Sequence, residues 1–330
     1  MDEATGLEVR HDPVCVSYQD ELDAVIRPRT SASLRKGGLS KHLLDGPRFR
    51  RSTPGRYVPA AVALSPAQRI AEAAAPMPAG AALGGWAAGS ALGADRLDGP
   101  DRRLQPQPVV MCVRDSLHRA STPAVRYVRQ KVVQDDLVDL GGISFTGAVR
   151  TAADLACWAA DEVEAVVVLD VLLAAGVLDA TKLRQVPSKL ARRRGAAQAG
   201  IAVGLARAGV RSPGESRLRM AYVLGVGAPI PLVNPRVTDD GGFFLGIPDL
   251  PDVEAGLVLE YDGGRWLGTE REAGHRDREQ HREDNVREGG LERTGLVVAR
   301  AGRRGRQVAL PGSGSLGTGK GYRWRTTVAP

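Results

Sequence analysis

The strongest apolar pattern in the chain is "DEVEAVVVLDVLLAAGVL", residues 161–178. Its apolar positions run round most of a helical circumference, which predicts a helix buried on nearly every side. "LSPAQRIAEAAAPM" (64–77) predicts a second helix, with Ser65 as N-cap and Pro66 at the first helical position. "PAGAALGGWAAGSALGA" (78–94) reads as a pair of small-residue helices that pack closely. "QPVVMCVR" (107–114) and "AVRYVRQKV" (124–132) have strand patterns, and "DLVDLGGISFTGAVRTAADLACW" (136–158) reads strand, turn, helix. Further on, "RSPGESRLRMAYVLGVG" (211–227) predicts a helix capped by Ser212, with Pro213 in its first turn and Glu215 at capping-box spacing. Strand patterns follow in "PIPLVNPRVT", "FFLGIPDL", "AGLVLEYDGG" and "LVVARAG", with a charged helix expected between Thr269 and Arg293.

The N-terminal pattern is different. Residues 1–26 form an acidic extension with a short helix predicted in "SYQDELDAVI". From Arg27 the charge reverses: residues 27–60 hold nine Lys or Arg and one acid, Asp45. "LRKGGLSKHLLDG" predicts short helices broken at Gly37–Gly38, with Ser31 and Ser33 as candidate caps. "FRRSTPGRYVPA" predicts a β-hairpin with Pro54–Gly55 at its tip. Helices followed by a basic hairpin is the order of a winged helix-turn-helix, in which one helix enters the major groove and the wing lies on phosphates. Arg35, Lys36, Lys41, Arg50, Arg51 and Arg56 are the candidate DNA-binding residues.

Composition adds bounds. The 330 residues suit two or three domains, and 43% hydrophobic content with only 4% aromatics implies cores of Ala, Val and Leu. The net charge of +7 favours a polyanionic partner such as double-stranded DNA. Cys15, Cys112 and Cys157 are odd in number and far apart, which argues against a disulfide scaffold or a structural zinc site. The absence of a signal-peptide pattern and of a long apolar run makes a cytoplasmic protein without membrane contact the expectation.

The chemistry concentrates in "GIPDLPDVEAGLVLEYDGG", residues 246–264. If its two strands pair antiparallel, Asp249 meets Glu260 and Asp262 at one end of a sheet, with Tyr261 on the other face. Carboxylates gathered this closely repel unless one takes a proton or a hard cation bridges them. A helix carrying Glu215 on the same sheet would add a fourth; its other reading is a helix cap. Such a cluster can hold a metal that activates water beside a phosphodiester. His275 and His281 lie six residues apart and share no helix face, so they read as solvated.

"SPGESRLR", "FFLGIPDL", "VLEYDGG" and "REDNVREGGLERTGLVVAR", in this order, resemble the PD-(D/E)-x-K nuclease fold in the branch similar to very-short-patch repair endonucleases. More closely, they resemble the endonuclease-like domain of unknown function found at the C-terminus of many actinobacterial proteins. The N-terminal arm of those proteins is a winged helix like that of abortive-infection antitoxins; "LLDGPRFRRSTPGRYVPA" and "GGISFTGAVRTAADLA" are similar to it. The resemblance implies that Asp249 and Glu260 bind Mg²⁺, with Mn²⁺ able to substitute. It implies that the Tyr261 carbonyl assists, and that Asp262 and Glu215 complete the catalytic set. Arg276, Arg278 or Arg282 would face the phosphate. The chain departs from the family in two places. Asp262 stands at the lysine of the motif, and Trp266 and Leu267 stand where relatives carry histidine.

The expected architecture is therefore α+β and multidomain. It comprises an extension (1–26), a winged helix-turn-helix (27–62), an α/β middle domain (63–210), a restriction-endonuclease-like α/β domain with a mixed central sheet (211–302) and a disordered basic tail (303–330). The expected function is a DNA-binding protein with a Mg²⁺-dependent endonuclease domain. The alternative, which the missing lysine and histidines favour, is a catalytically inactive DNA-binding regulator, antitoxin-like, with a toxin as protein partner.

Overall fold

The computed structural model describes residues 24–100, 105–114, 119–130, 132–238, 242–262, 296–302 and 325–327. The expected extension falls almost wholly outside these residues. So do the charged helix of 269–293, Trp266, Leu267, the two histidines and the three arginines beside them, Cys15, and most of the tail. The fold is mixed α+β with several small sheets. Two compact units emerge: Met1–Ala159 with Ala175–Val203, and Ala160–Ala174 with Gly204–Pro330.

The first unit opens with β1 (Arg29–Thr30), α1 (Ser31–Lys36), α2 (Lys41–Leu44), β2 (Phe49–Thr53) and β3 (Arg56–Pro59). The strands form a sheet in the order β1-β3-β2. Thr30, rather than Ser31 or Ser33, caps α1 by accepting from the Ser33 N–H, and Ser40 caps α2 through the Leu43 N–H. Gly55, at φ +73°, turns the hairpin. A small core of Leu34, Leu44 and Tyr57 holds the helices to the sheet.

Next comes α3 (Pro66–Ala74), capped by Ser65 as its sequence dictates. The segment expected to form two small-residue helices instead forms β4 (Ala82–Gly84) and α4 (Trp86–Ala91). Small size serves a strand here: a Cβ at Gly84 would lie 3.3 Å from the Cys112 Sγ and 3.5 Å from the Thr146 hydroxyl. Gly85, at φ +64°, makes the turn into α4. β5 (Val109–Val113), β6 (Val125–Arg129), β7 (Leu137–Leu140) and β8 (Ile143–Thr146) complete a five-stranded mixed sheet in the order β6-β5-β4-β8-β7. Gly141 and Gly142 both have positive φ and form the two-residue turn of the β7–β8 hairpin. The core joins Ile70 of α3, Trp86 and Ala88 of α4, and Leu83, Met111 and Phe145 of the sheet.

α5 (Ala148–Trp158) follows β8 and carries a buried ion network. Arg150 donates through Nε to Asp154 (2.9 Å), through Nη1 to Asp136 (3.4 Å) and through Nη2 to Gln130 (3.0 Å). Cys112 and Cys157 are free, buried thiols, and burial pushes Cys112 up to about 12. The unit ends with α7 (Ala180–Gln185), a 3₁₀ turn (Val186–Lys189) and most of α8 (Ala196–Leu205).

The second unit takes in α6 (Glu162–Ala174), the buried helix that the sequence had placed in a middle domain. The reason is Asp170, buried with the rest of the helix. It accepts from the Arg219 guanidinium (2.7 Å), the Ser216 hydroxyl (2.7 Å) and the Arg207 N–H (2.8 Å). Arg219 and Ser216 belong to α9 (Pro213–Met220), so one buried carboxylate binds two helices into one unit. Burial pushes the Asp170 carboxyl up, against the pull of Arg219.

α9 packs through Leu218, and Tyr222 just beyond it, on β11 (Leu250–Asp252), β12 (Leu257–Asp262) and β13 (Val297–Gly302), whose contacting residues are Leu250, Leu257, Leu259 and Ala299. β11 pairs antiparallel and β13 parallel with β12, a mixed sheet. The opposite face carries Val258 and Val298, packed with Val237 of β9 (Arg236–Thr238) and Leu245 of β10 (Phe244–Gly246). Within the expected tail, β14 (Arg325–Thr327) pairs antiparallel with β9, so that short β-branched stretch is a strand.

Asp170 and Arg219 are both fully buried. Removing one partner strands the other charge in the core, so Asp170→Ala is expected to cost about 3–5 kcal/mol in urea unfolding. Glu164→Ala, which breaks a half-exposed pair with Arg217, is expected to cost less than about 1 kcal/mol. Equal losses would show that the buried pair does not anchor the unit.

Candidate functional site

The residues expected to carry chemistry lie on two surfaces, one in each unit. In the first unit the helix–hairpin module exposes Arg35 and Lys36 in the last turn of α1, Lys41 at the start of α2, and Arg51 on β2; Arg56 on β3 is half-buried. Cations in a last helical turn also complement the helix dipole, so Arg35 and Lys36 stabilise α1 while facing solvent. Arg51 lies over the Tyr57 ring (5.8 Å to its centroid), which fixes the side chain on a rigid base.

Arg50 departs from the expected role. Strand neighbours point to opposite faces, and Arg50 turns away from Arg51 to pair with Glu72 of α3 in a fork (2.7 and 2.5 Å). Glu72 also accepts from Gln68 (2.8 Å), and Gln68 exchanges two hydrogen bonds with the Ile26 backbone (2.9 and 3.0 Å). Arg50 therefore ties the hairpin to α3, with its guanidinium engaged by Glu72 and partly exposed.

In the second unit, Leu250 lies opposite Leu259, which places Asp249 opposite Glu260 at the end of the β11–β12 ladder. The two acids engage each other's strands. The Tyr261 N–H donates to Asp249 Oδ2 (2.9 Å), and the Asp249 N–H donates to Glu260 Oε1 (3.4 Å). Residues opposite one another share a face, and the Leu250–Leu259 pair faces α9. Asp249 and Glu260 consequently face away from α9. The parallel register sets Arg300 of β13 beside Glu260 and Asp262 opposite Gly302. Acid, acid and cation thus form one row across three strands. Arg300 was legible only as a strand residue of "LVVARAG"; its place beside Glu260 depends on a parallel register that no local pattern encodes.

Glu215 stands elsewhere. It is buried in the first turn of α9, behind the sheet, and its Oε2 accepts from the Arg211 N–H (2.9 Å) and the Asn234 Nδ2 (2.9 Å). It thus ties the start of α9 to Asn234. Asn234, held at φ +46°, passes the constraint on by donating its own N–H to the Asp249 carbonyl (2.8 Å). The Asn-Pro dipeptide at 234–235, inside a stretch whose pattern reads as a strand, is the turn signal that could have marked this residue. Tyr261 sits on the α9 face: a Cβ at Gly214 would fall 1.9 Å from its ring. Its side chain is remote from the acid pair, as strand alternation requires.

Asp249 and Glu260 are a pair of hard oxygen donors, one oxygen of each already accepting a backbone N–H. Mg²⁺ is commonly held by one or two carboxylates and keeps several waters, and Asp249 with Glu260 supplies two. Among the described residues no group of three or more His, Cys, Asp or Glu gathers in metal-binding geometry. No helix among them is long and apolar enough to cross a membrane.

Gly214→Ala forces the Tyr261 ring to move and is expected to destabilise the chain by about 1–3 kcal/mol, with most of that loss disappearing in a Tyr261→Ala background. The same loss in both backgrounds would place the ring elsewhere. Compared with family models, curated proteins and solved structures, the chain matches none.

Proposed function

We propose that the chain is a DNA-binding protein that grips duplex phosphates through the helix–hairpin module of its first unit, a winged helix-turn-helix in this reading. The observation that carries this is the sorting of charge on the module. One cation, Arg50, is paired inward with Glu72, while Arg35, Lys36, Lys41 and Arg51 are exposed on short, capped elements. Cations so arranged displace condensed counterions from a duplex.

In the second unit, the row Asp249, Glu260 and Arg300 supports a Mg²⁺-dependent phosphodiesterase centre of the nuclease type that the motifs resemble. Asp249 and Glu260 would hold the ion, which when bound supplies Lewis acidity and an activated water. Arg300 would stand in for the lysine that Asp262 replaces, meeting the negative charge of the phosphate. Glu215 would act through Asn234 by fixing the Asp249 backbone. A non-hydrolytic regulator is the second reading, favoured by the engagement of Glu215 with Arg211 and Asn234 on the other side of the sheet.

In a plasmid-nicking assay with Mg²⁺ or Mn²⁺, Asp249→Ala, Glu260→Ala and Arg300→Ala are each expected to lower the rate. A centre worth several kcal/mol implies losses of roughly a hundredfold or more for the two acids. Equal nicking by wild type and both acid variants excludes this centre; duplex binding without nicking selects the regulator. Arg35→Gln with Lys41→Gln is expected to flatten the salt dependence of duplex binding by about 0.9 per lost phosphate contact. An unchanged slope would remove the helix–hairpin module from the interface.

A further inference from the structure

We propose that the loop between the 3₁₀ turn and α8, residues 190–195, is a second phosphate-contacting element of the first unit, presenting Arg192 and Arg194 to duplex DNA. This rests on the DNA-binding reading above but on different residues.

The segment 180–203 carries six Lys or Arg and no acid. Three of the six have acidic partners: Lys182 with Asp179, Lys189 with Asp136, and Arg193 with Asp154. Among the described residues, Arg184 bonds the Thr181 hydroxyl (3.3 Å) and no acid. Arg192 and Arg194 are exposed and have no ion-pair partner among the described residues.

The backbone between them is clamped. Leu190 is buried. Arg193 points inward, where its guanidinium meets the fully buried Asp154, the Gln130 side chain (3.3 Å) and the Lys189 carbonyl (3.3 Å). Asp154 is itself fixed by Arg150. Gly195, at φ +82°, is pressed so close to α5 that a Cβ would lie 2.2 Å from the Cys157 carbonyl oxygen. With Arg193 anchored inward, its two neighbours project outward. Arg192 adopts φ +58°, a region costly for a side chain of its size.

The chemistry selects the partner. Guanidinium forks on a rigid base suit phosphate oxygens. The exposed residues nearest the two arginines in sequence, Ala191 and Ala197, are too small to enter a bilayer, and Ile201, exposed further along α8, is a single large apolar side chain, which argues against an anionic membrane. The same unit carries the helix–hairpin module, so a duplex is the polyanion available to both.

The test is duplex binding by the full chain, followed by fluorescence anisotropy over a range of salt concentrations. Wild type is compared with Arg192→Gln/Arg194→Gln, whose folding is checked by its thermal transition. Two lost phosphate contacts are expected to reduce the slope of log K against log salt by about 1.8, equally on unrelated DNA sequences. A slope identical to wild type overturns the proposal and leaves the helix–hairpin reading standing. No duplex binding by wild type at low salt overturns both. A loss confined to an RNA hairpin or to phosphatidylserine vesicles, with the duplex slope unchanged, also overturns it and reassigns the loop.

Discussion

The second unit depends on one buried carboxylate. Asp170 lies in a helix buried along most of its length, where an unpaired charge would be intolerable. Its three donors come from α9 and from the turn before it, so α6 cannot be buried without bringing α9 with it. α9 in turn covers the β11-β12-β13 sheet, and its first turn holds Asn234 through Glu215. Asn234 holds the Asp249 backbone. A chain of polar contacts therefore runs from the core to the acid pair, and each link is a residue whose other partners are already fixed.

The first unit uses the same device for its cations. Arg50 is paired with Glu72, Arg150 and Arg193 with Asp154, and Lys189 with Asp136. Two of these inward pairs stiffen surface segments whose neighbouring cations face solvent: Arg51 next to Arg50, and Arg192 and Arg194 on either side of Arg193. Burying a pair is no efficient route to stability, but it fixes where the remaining charges stand. Preorganised charge loses less side-chain freedom when a polyanion binds.

Much of the fold was legible where local chemistry decides it. Ser65–Pro66 and Ser212–Pro213 announced their helices, Pro54–Gly55 its hairpin and Gly141–Gly142 its turn. Periodicity failed at Ala82–Gly84, where small residues serve a central strand pressed against Cys112 and Thr146 as well as they would a helix seam. It also failed at Arg325–Thr327, whose pairing with β9 is long-range. The packing of α6 with α9 was hard to read because α6 looks self-sufficient in sequence; the one clue was Asp170 among valines and leucines, a charge that demands a partner. At the site, the meeting of Asp249 and Glu260 was readable from strand alternation. The position of Glu215 behind the sheet and of Arg300 beside Glu260 was not, since both follow from which face α9 covers and from a parallel register set by tertiary packing.

In the proposed centre of the second unit, Asp249 and Glu260 together would seat a divalent cation. Calorimetric titration of the full chain with Mn²⁺ is the sharpest test. Wild type is expected to give a single saturable binding heat that disappears in Glu260→Gln, with the thermal transition of the metal-free protein unchanged. The same heat in both proteins would rule the site out.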